Sequence, residues 1–321
     1  MQETLKTDLA IIGGGVAGLS AAMYARRFNL EVVVFGREIG GTIALAGNVE
    51  NYPGFKSVSG MELSNKIKEH AIAFKPEIIK ENVKKISKKG KCFLIDTGKR
   101  VYEAKAVIFS TGTDWRKLNV KGEKEFERKG VHYCALCDGP FYKKKTVAVV
   151  GGGDGAVKEA LLLSNIASKV YIIYRKDKLM PEPINLERLE KTKNIEQINK
   201  ANIVEFIGKG KLEKIKLDRK YKGSYEMDID GVFVDIGRVP ITEMARELKI
   251  RTNEKGEIIT DKLMRTNIEG FFAAGDVTDT SFKQAITAAS EGSTAAYSAY
   301  QYIIKSPLCT YSDEPIEGLS K

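Results

Sequence analysis

Hydrophobic and polar positions along this chain fall into an order that occurs twice. Residues 8–12 (DLAII) form a short apolar run, a GGGVAG turn follows, and residues 19–29 place apolar side chains at helical spacing before a second apolar run at 31–35. A short apolar run bounded by turn residues predicts a buried strand, and a 3.6-residue recurrence predicts a helix, so this segment reads strand, turn, helix, strand. The order returns with a strand over 146–150 (TVAVV), a GGGDGA turn, a helix over 157–165 and a strand over 170–174. Between the two units, residues 106–110 predict a strand leaving the first, and the polar run 117–129 opens the second. Further strands are predicted at 231–236 and 270–274, and a closing helix over 284–304.

The two turns carry the next level of the reading. In a phosphate-binding βαβ unit the first glycine makes the tight turn, the second lets the backbone approach a pyrophosphate, and the third lets the helix pack on the strand. Gly13, Gly15 and Gly18 take these positions in the first turn, and Gly151, Gly153 and Ala156 in the second. An acid near the end of the second strand holds a ribose hydroxyl, and Glu38 is the residue placed for it, slightly late in the spacing. The second unit has Arg175 and Lys176 at that point, where cations suit a 2′-phosphate and so NADP; the same pair also reads as ordinary exposed loop charge. Because Gly275-Asp276 leads into the closing helix, the end of the chain returns to the first unit. The expectation is an α/β protein of two Rossmann-like three-layer domains, the second inserted into a discontinuous first. Residues 1–116 and 245–321 would build one domain and 117–244 the other, and 321 residues suit two domains of about 150 each.

Composition narrows the classes. The net charge of +10 comes from scattered lysines without interleaved aromatics or an arginine stripe, which argues against nucleic acid and for a solvated face or an acidic protein partner. No run reaches the ~18 apolar residues of a membrane span, and the first eight residues have no signal-peptide core, so no membrane association and a cytoplasmic location are expected. Four cysteines in 321 residues are no disulfide framework. Two of them form the box Cys134-Ala135-Leu136-Cys137, lying between the two glycine turns. Side chains three apart share a helix face and reach one another for a disulfide, and a thiol at a helix N-terminus ionises readily. One cysteine would attack a substrate disulfide while the other resolves it; Asp138, next in sequence, reads either as a general acid for a departing thiolate or as a helix-capping carboxylate. A zinc site would need His132 and a distant Cys92 or Cys309 as well, and there is no second C-x-x-C. Cys92 and Cys309 are most simply structural or surface thiols, and His70 an exposed helix residue.

In this order GGGVAG, Gly40-Gly41, Glu50-Asn51-Tyr52-Pro53-Gly54, Ser110-Thr111-Gly112, the box through Asp138, GGGDGA, GFFAAGDV and KQAITAA resemble the low-molecular-weight thioredoxin reductases over nearly the whole chain. The resemblance implies FAD in the first domain, NADPH in the second, thioredoxin or a thioredoxin-like protein as substrate partner, a homodimer, and rotation of the domains between two arrangements. Gly13, Gly15, Gly18, Glu38, Gly41, Asn51, Thr111, Gly112, Gly275 and Asp276 would then contact FAD, with Gln284 and Ala285 beside the flavin ring. Gly151, Gly153, Ala156, Arg175 and Lys176 would hold the pyridine nucleotide, Cys134 would attack thioredoxin, and Cys137 would face the flavin. Three departures stand out: Tyr174, Arg175, Lys176 and Met180 replace His-Arg-Arg and a later Arg, Thr42 replaces Gln, and Lys283 replaces Arg. Two other readings stay open, a related disulfide reductase using ferredoxin, a deazaflavin, NADH or a different thioredoxin-like substrate, and a non-catalytic FAD-binding redox sensor.

Overall fold

The structure is a computed structural model and describes residues 4–305. It divides into two compact units, one made of Met1–Asp114 and Pro240–Lys321, the other of Trp115–Val239.

The first unit is built on a parallel sheet in the order Glu77–Ile79, Val32–Ile39, Thr4–Gly14, Val101–Phe109, with Phe271–Ala273 beside the second half of the last strand. The hairpin Lys85–Lys89 and Cys92–Asp96 pairs antiparallel with its first half. Alternate side chains of a strand face opposite ways, and both faces here are buried, which is why these strands read as unbroken apolar runs. Leu9, Ile11, Val32, Val34 and Ile108 pack under helices Val16–Arg27 and Ala285–Lys305, while Ala10, Ile12, Val33, Phe35 and Phe109 pack on the other side with Phe93 and Tyr102. The two helices approach so closely that a Cβ on Gly292 would overlap the Ala17 carbonyl, so the small residues of the closing helix serve this contact.

The second unit has a five-stranded all-parallel sheet in the order Val131–His132, Gly231–Val234, Thr146–Val150, Lys169–Tyr174, Ile195–Asn199. Helix Asp154–Ser164 covers one face through Val157, Ala160 and Leu163. The other face is covered by an antiparallel sheet of Ile203–Ile207, Lys214–Tyr221 and Ser224–Asp228, through Ile203, Phe206, Ile215 and Leu217. The sequence reading has no counterpart for this second sheet. Both helices begin inside the glycine turns, at Val16 and Asp154, three residues ahead of the apolar spacing, because the last motif residues already form the first helical turn. Strand Val32–Ile39 runs beyond residue 35, past a bulge that pairs Gly14 with Ile39, and so contains Glu38. Among the described residues no helix is long and apolar enough to cross a membrane.

Candidate functional site: a dithiol and two glycine cradles

Cys134 and Cys137 are joined in a disulfide with their Cα atoms 5.4 Å apart. Strand Val131–His132 delivers Cys134 to the N-cap of the short helix Ala135–Asp138, where its Sγ accepts the Cys137 N–H at 3.1 Å. That N–H would stabilise negative charge on Cys134 once the disulfide is opened, as helix-start amides do for thiolates. Cys137 is exposed and Cys134 buried. Asp138 ends this helix and makes no side-chain cap to the 3₁₀ turn that follows, Gly139–Tyr142. Its Oδ2 lies instead 3.2 Å from His132 Nδ1, so the capping alternative is not realised.

The first glycine cradle lies wholly in the first unit. Gly13 has φ +114, and a Cβ there would overlap the Ser110 carbonyl; a Cβ on Gly18 would overlap the Gly13 carbonyl. These two glycines are required by the chain's own packing. Gly15 is different: its φ of −81° and ψ of −169° suit any residue, and a Cβ would meet only the Cα of Gly41 at 3.6 Å. The helix it caps starts with no side-chain cap and no acid in its first turn, so its N–H groups face a space lined by Gly15 and Gly41, the latter at φ +74. Free helix-start amides with room before them fit a pyrophosphate. Asn51 Nδ2 donates to Gln284 Oε1 at 3.1 Å, bringing together two residues far apart in sequence, and Ala285 begins the closing helix. Gly275 N donates to Glu291 at 2.7 Å, and the Asp276 carbonyl accepts from Lys283 Nζ at 2.8 Å. The Thr111 hydroxyl donates to the Ile241 carbonyl at 2.7 Å, while Gly112 at φ +67 has open space where a Cβ would stand. Glu38 is exposed near the end of its strand.

The second cradle repeats this logic within the inserted unit. Gly151, at φ +150, abuts the Asp235 carbonyl, and Ala156 is buried against the sheet. Gly153 has an ordinary φ of −87°, caps helix Asp154–Ser164 without a side-chain bond, and has nothing within 4 Å of a notional Cβ. Arg175 and Lys176 are exposed directly after strand Lys169–Tyr174. Tyr174 covers Gly152 so closely that a Cβ there would overlap its ring, and the Met180 N–H donates to the Gly152 carbonyl at 2.8 Å. Tyr174 and Met180, two of the positions that depart from the family pattern, therefore both contact the glycine turn. Asp154 points away from it: its carboxylate accepts from the Glu182 N–H and from Asn185, and pairs with Lys158 at 2.6 Å.

Two buried groups beside the dithiol escaped the sequence reading in this role. Glu159, on helix Asp154–Ser164, accepts the Ala135 N–H at 3.3 Å, while its second oxygen is buried with no hydrogen-bond partner. Burial, reinforced by the nearby Asp235 charge, pushes its carboxyl up to about 8. Burial likewise raises Asp235. His132, considered only as a metal ligand, is stacked on Phe233 and bonded through Nε2 to the Tyr142 hydroxyl at 2.7 Å. Burial lowers its pKa against the opposing pull of Asp138, so the ring is neutral near pH 7. Nothing around Glu159 in the sequence separates it from the charged face of a surface helix, so no local pattern reveals it. Cys92 starts a buried strand, His70 is exposed on helix Gly60–Ala73, and Cys309 lies outside the described residues.

The chain matches the family described as pyridine nucleotide-disulphide oxidoreductase over residues 7–292. It is 41% identical over 306 residues to the thioredoxin reductase of Bacillus subtilis, covering 94% of this chain and 96% of that protein. To the thioredoxin reductase of Treponema pallidum it is 42% identical over 299 residues, covering 92% and 97%. Among solved structures it resembles the thioredoxin reductase of Lactococcus lactis with a TM-score of 0.89 and 37% identity, covering 93% of this chain and 99% of that one.

Proposed function

Since the chain belongs to the pyridine nucleotide-disulphide oxidoreductase family, we propose that it reduces the disulfide of thioredoxin through Cys134 and Cys137, as an FAD-dependent enzyme using NADPH. The observation that supports this reading best is the Cys134–Cys137 disulfide itself, at a helix start and with one of its two residues exposed, in a chain that also carries two uncapped glycine cradles. The first unit would hold FAD along Gly13, Gly15, Gly18, Glu38, Gly41, Asn51, Thr111, Gly112, Gly275, Asp276, Gln284 and Ala285. The inserted unit would hold NADPH along Gly151, Gly153 and Ala156, with Arg175 and Lys176 on the 2′-phosphate. When bound, these cofactors supply hydride donation and two-electron storage.

The chain's own residues carry the sulfur chemistry. Two electrons and two protons break the Cys134–Cys137 bond and leave two thiols. The Cys134 thiolate, stabilised by the Cys137 N–H, attacks one thioredoxin sulfur; a bond forms between the proteins, and the other thioredoxin sulfur leaves as a thiolate and takes a proton. Cys137 then attacks Cys134 Sγ, which restores the intrachain disulfide and expels the second thioredoxin thiol. Asp138 is the acid at hand for the departing sulfurs. Because the oxidised pair buries Cys134, this order requires its side chain to turn outward once the bond is broken. The homodimer and the cytoplasmic location belong to the same reading.

Two measurements test it. Anaerobic titration of the flavin-loaded protein with NADPH and with NADH should bleach the flavin absorbance with NADPH at far lower concentration; bleaching by neither, with full bleaching by dithionite, would require another donor. Trapping with a single-cysteine thioredoxin should give a mixed disulfide with Cys137→Ser and none with Cys134→Ser. The reverse pattern would exchange the roles of the two sulfurs.

A further inference from the structure

His132 joins two features that the proposed chemistry leaves unconnected. On one side, its Nδ1 lies 3.2 Å from Asp138 Oδ2 without making a hydrogen bond, so a small turn of the carboxylate would complete the contact. On the other, its Nε2 is bonded to the Tyr142 hydroxyl at 2.7 Å. His132 and Tyr142 in turn line a cavity of about 560 Å³ within the inserted unit, together with Lys145, Asp230, Lys211 and Glu213. The ring is fixed rather than loose: it stacks on Phe233 at 5.3 Å and meets Tyr142 edge-on at 5.4 Å, and Tyr142 packs so tightly over Gly231 that a Cβ there would overlap its ring. A histidine held only for packing needs neither a carboxylate at one nitrogen nor a hydroxyl leading to a cavity at the other.

The geometry points to a proton relay in which Tyr142 and His132 connect this cavity to Asp138 and so supply the protons that thiol–disulfide exchange at Cys134 and Cys137 consumes. The inference rests on the reading of this dithiol as the reacting group. When a sulfur leaves as a thiolate, Asp138 gives it a proton and becomes a carboxylate. His132 Nδ1–H then returns a proton to Asp138 as Nε2 takes the Tyr142 proton, and the Tyr142 oxygen takes one from solvent through the cavity. One proton enters, one reaches sulfur, and no electrons move along the relay. Burial, with the charges of Asp138 and Asp230 added, holds the Tyr142 phenol up at about 12, so it conducts a proton without resting as a phenolate. Lys145, with its ammonium 5.5 Å from the Tyr142 ring centroid, and Asp230, whose charge adds to the raising of the phenol, stand at that end beside Arg128, Lys129 and Asp228 of the cavity lining.

The test is the rate at which dithiothreitol reduces the Cys134–Cys137 disulfide, in water and in deuterium oxide, for the native protein, Tyr142→Phe and His132→Ala. General acid catalysis is worth about 10²–10⁴-fold, so interrupting its proton supply should slow exchange by ~10-fold or more in each variant and change the solvent isotope effect. Added imidazole should restore His132→Ala and leave Tyr142→Phe unchanged. Native rates and isotope effects in both variants would overturn the relay, as would a slow His132→Ala that imidazole fails to restore. Tyr142→Phe keeps the ring that packs on Gly231 and Phe233, so it remains informative should His132→Ala fail to fold. Thioredoxin turnover by the native protein separates the two readings: its absence rejects the proposed substrate, while the dithiothreitol rates judge the relay alone.

Discussion

Replacing Glu159 with glutamine should stabilise the inserted unit, and the gain should grow with pH. Burial beside Asp235 holds the Glu159 carboxyl at about 8 in the folded chain, against an ordinary value of 4.5. Between those two values the folded state keeps a proton that the unfolded state has released, so stability falls as pH rises through this window and is unaffected below it. Each pH unit inside the window is worth ~1.4 kcal/mol, so the step from pH 5 to pH 7 would cost ~2.7 kcal/mol if no water reached the group and the site did not relax. Allowing for both, about 1–2 kcal/mol is expected. Glutamine stays neutral throughout, can still accept the Ala135 N–H through its oxygen, and turns its amide toward the position of the carboxyl oxygen that has no partner. Urea unfolding followed by the fluorescence of Trp115, the sole tryptophan, reports on this unit. Midpoints of the native protein and the variant should nearly coincide at pH 5 and separate by pH 7. A separation that is the same at both pH values would mean Glu159 ionises normally and would refute the account of its burial.

Replacing either Cys134 or Cys137 with serine should abolish thioredoxin turnover while leaving flavin content unchanged; turnover at the native rate in either variant would refute the dithiol mechanism. Arg175→Ala should raise the KM for NADPH, with kcat little changed, by ~10-fold or more, each charge-assisted contact being worth about 1.5–3 kcal/mol, and leave the KM for NADH almost unaltered. Equal shifts for both nucleotides would remove the 2′-phosphate role. The glycines of the first cradle should separate by cause. Gly18→Ala drives a Cβ into the Gly13 carbonyl and should cost about 1–3 kcal/mol in unfolding free energy. Gly15→Ala meets only ordinary contact, so it should leave the unfolding midpoint nearly in place while lowering bound flavin, read from the visible absorbance.

Both βαβ openings were legible because each combines two short-range patterns, an apolar run and a glycine spacing, that depend on neighbours within about 25 residues. The two strands of the first opening came out longer than their apolar runs, Thr146–Val150 matched its run, and both helices started earlier. In the first helix the opening residues Val16, Ala17 and Gly18 are buried but belong to the glycine motif, and in the second Asp154 and Gly155 bury little, so neither helix start shows as a 3.6-residue apolar recurrence. The antiparallel sheet at 203–228 was not legible for another reason: its register shifts between Ile203 and Glu205 and between Lys216 and Tyr221, which interrupts the two-residue alternation that marks a half-buried strand. Asn51 and Gln284 illustrate a different limit. The family resemblance points to each separately, but nothing in the chain pairs residues more than 200 positions apart, whereas the fold hydrogen-bonds them.

What the chain by itself determined is the local framework of its chemistry: two glycine turns that open helices and a dithiol, each written as a fixed spacing within a few residues, because glycine φ angles and helix starts are local properties. What only the tertiary structure decided is the state of the groups around that chemistry. Whether Glu159 is a solvated carboxylate or a buried acid, and whether His132 is packing or a link between Asp138 and a cavity, depends on which strands and helices close over it. Burial is set by the whole surrounding surface, and no stretch of sequence carries that.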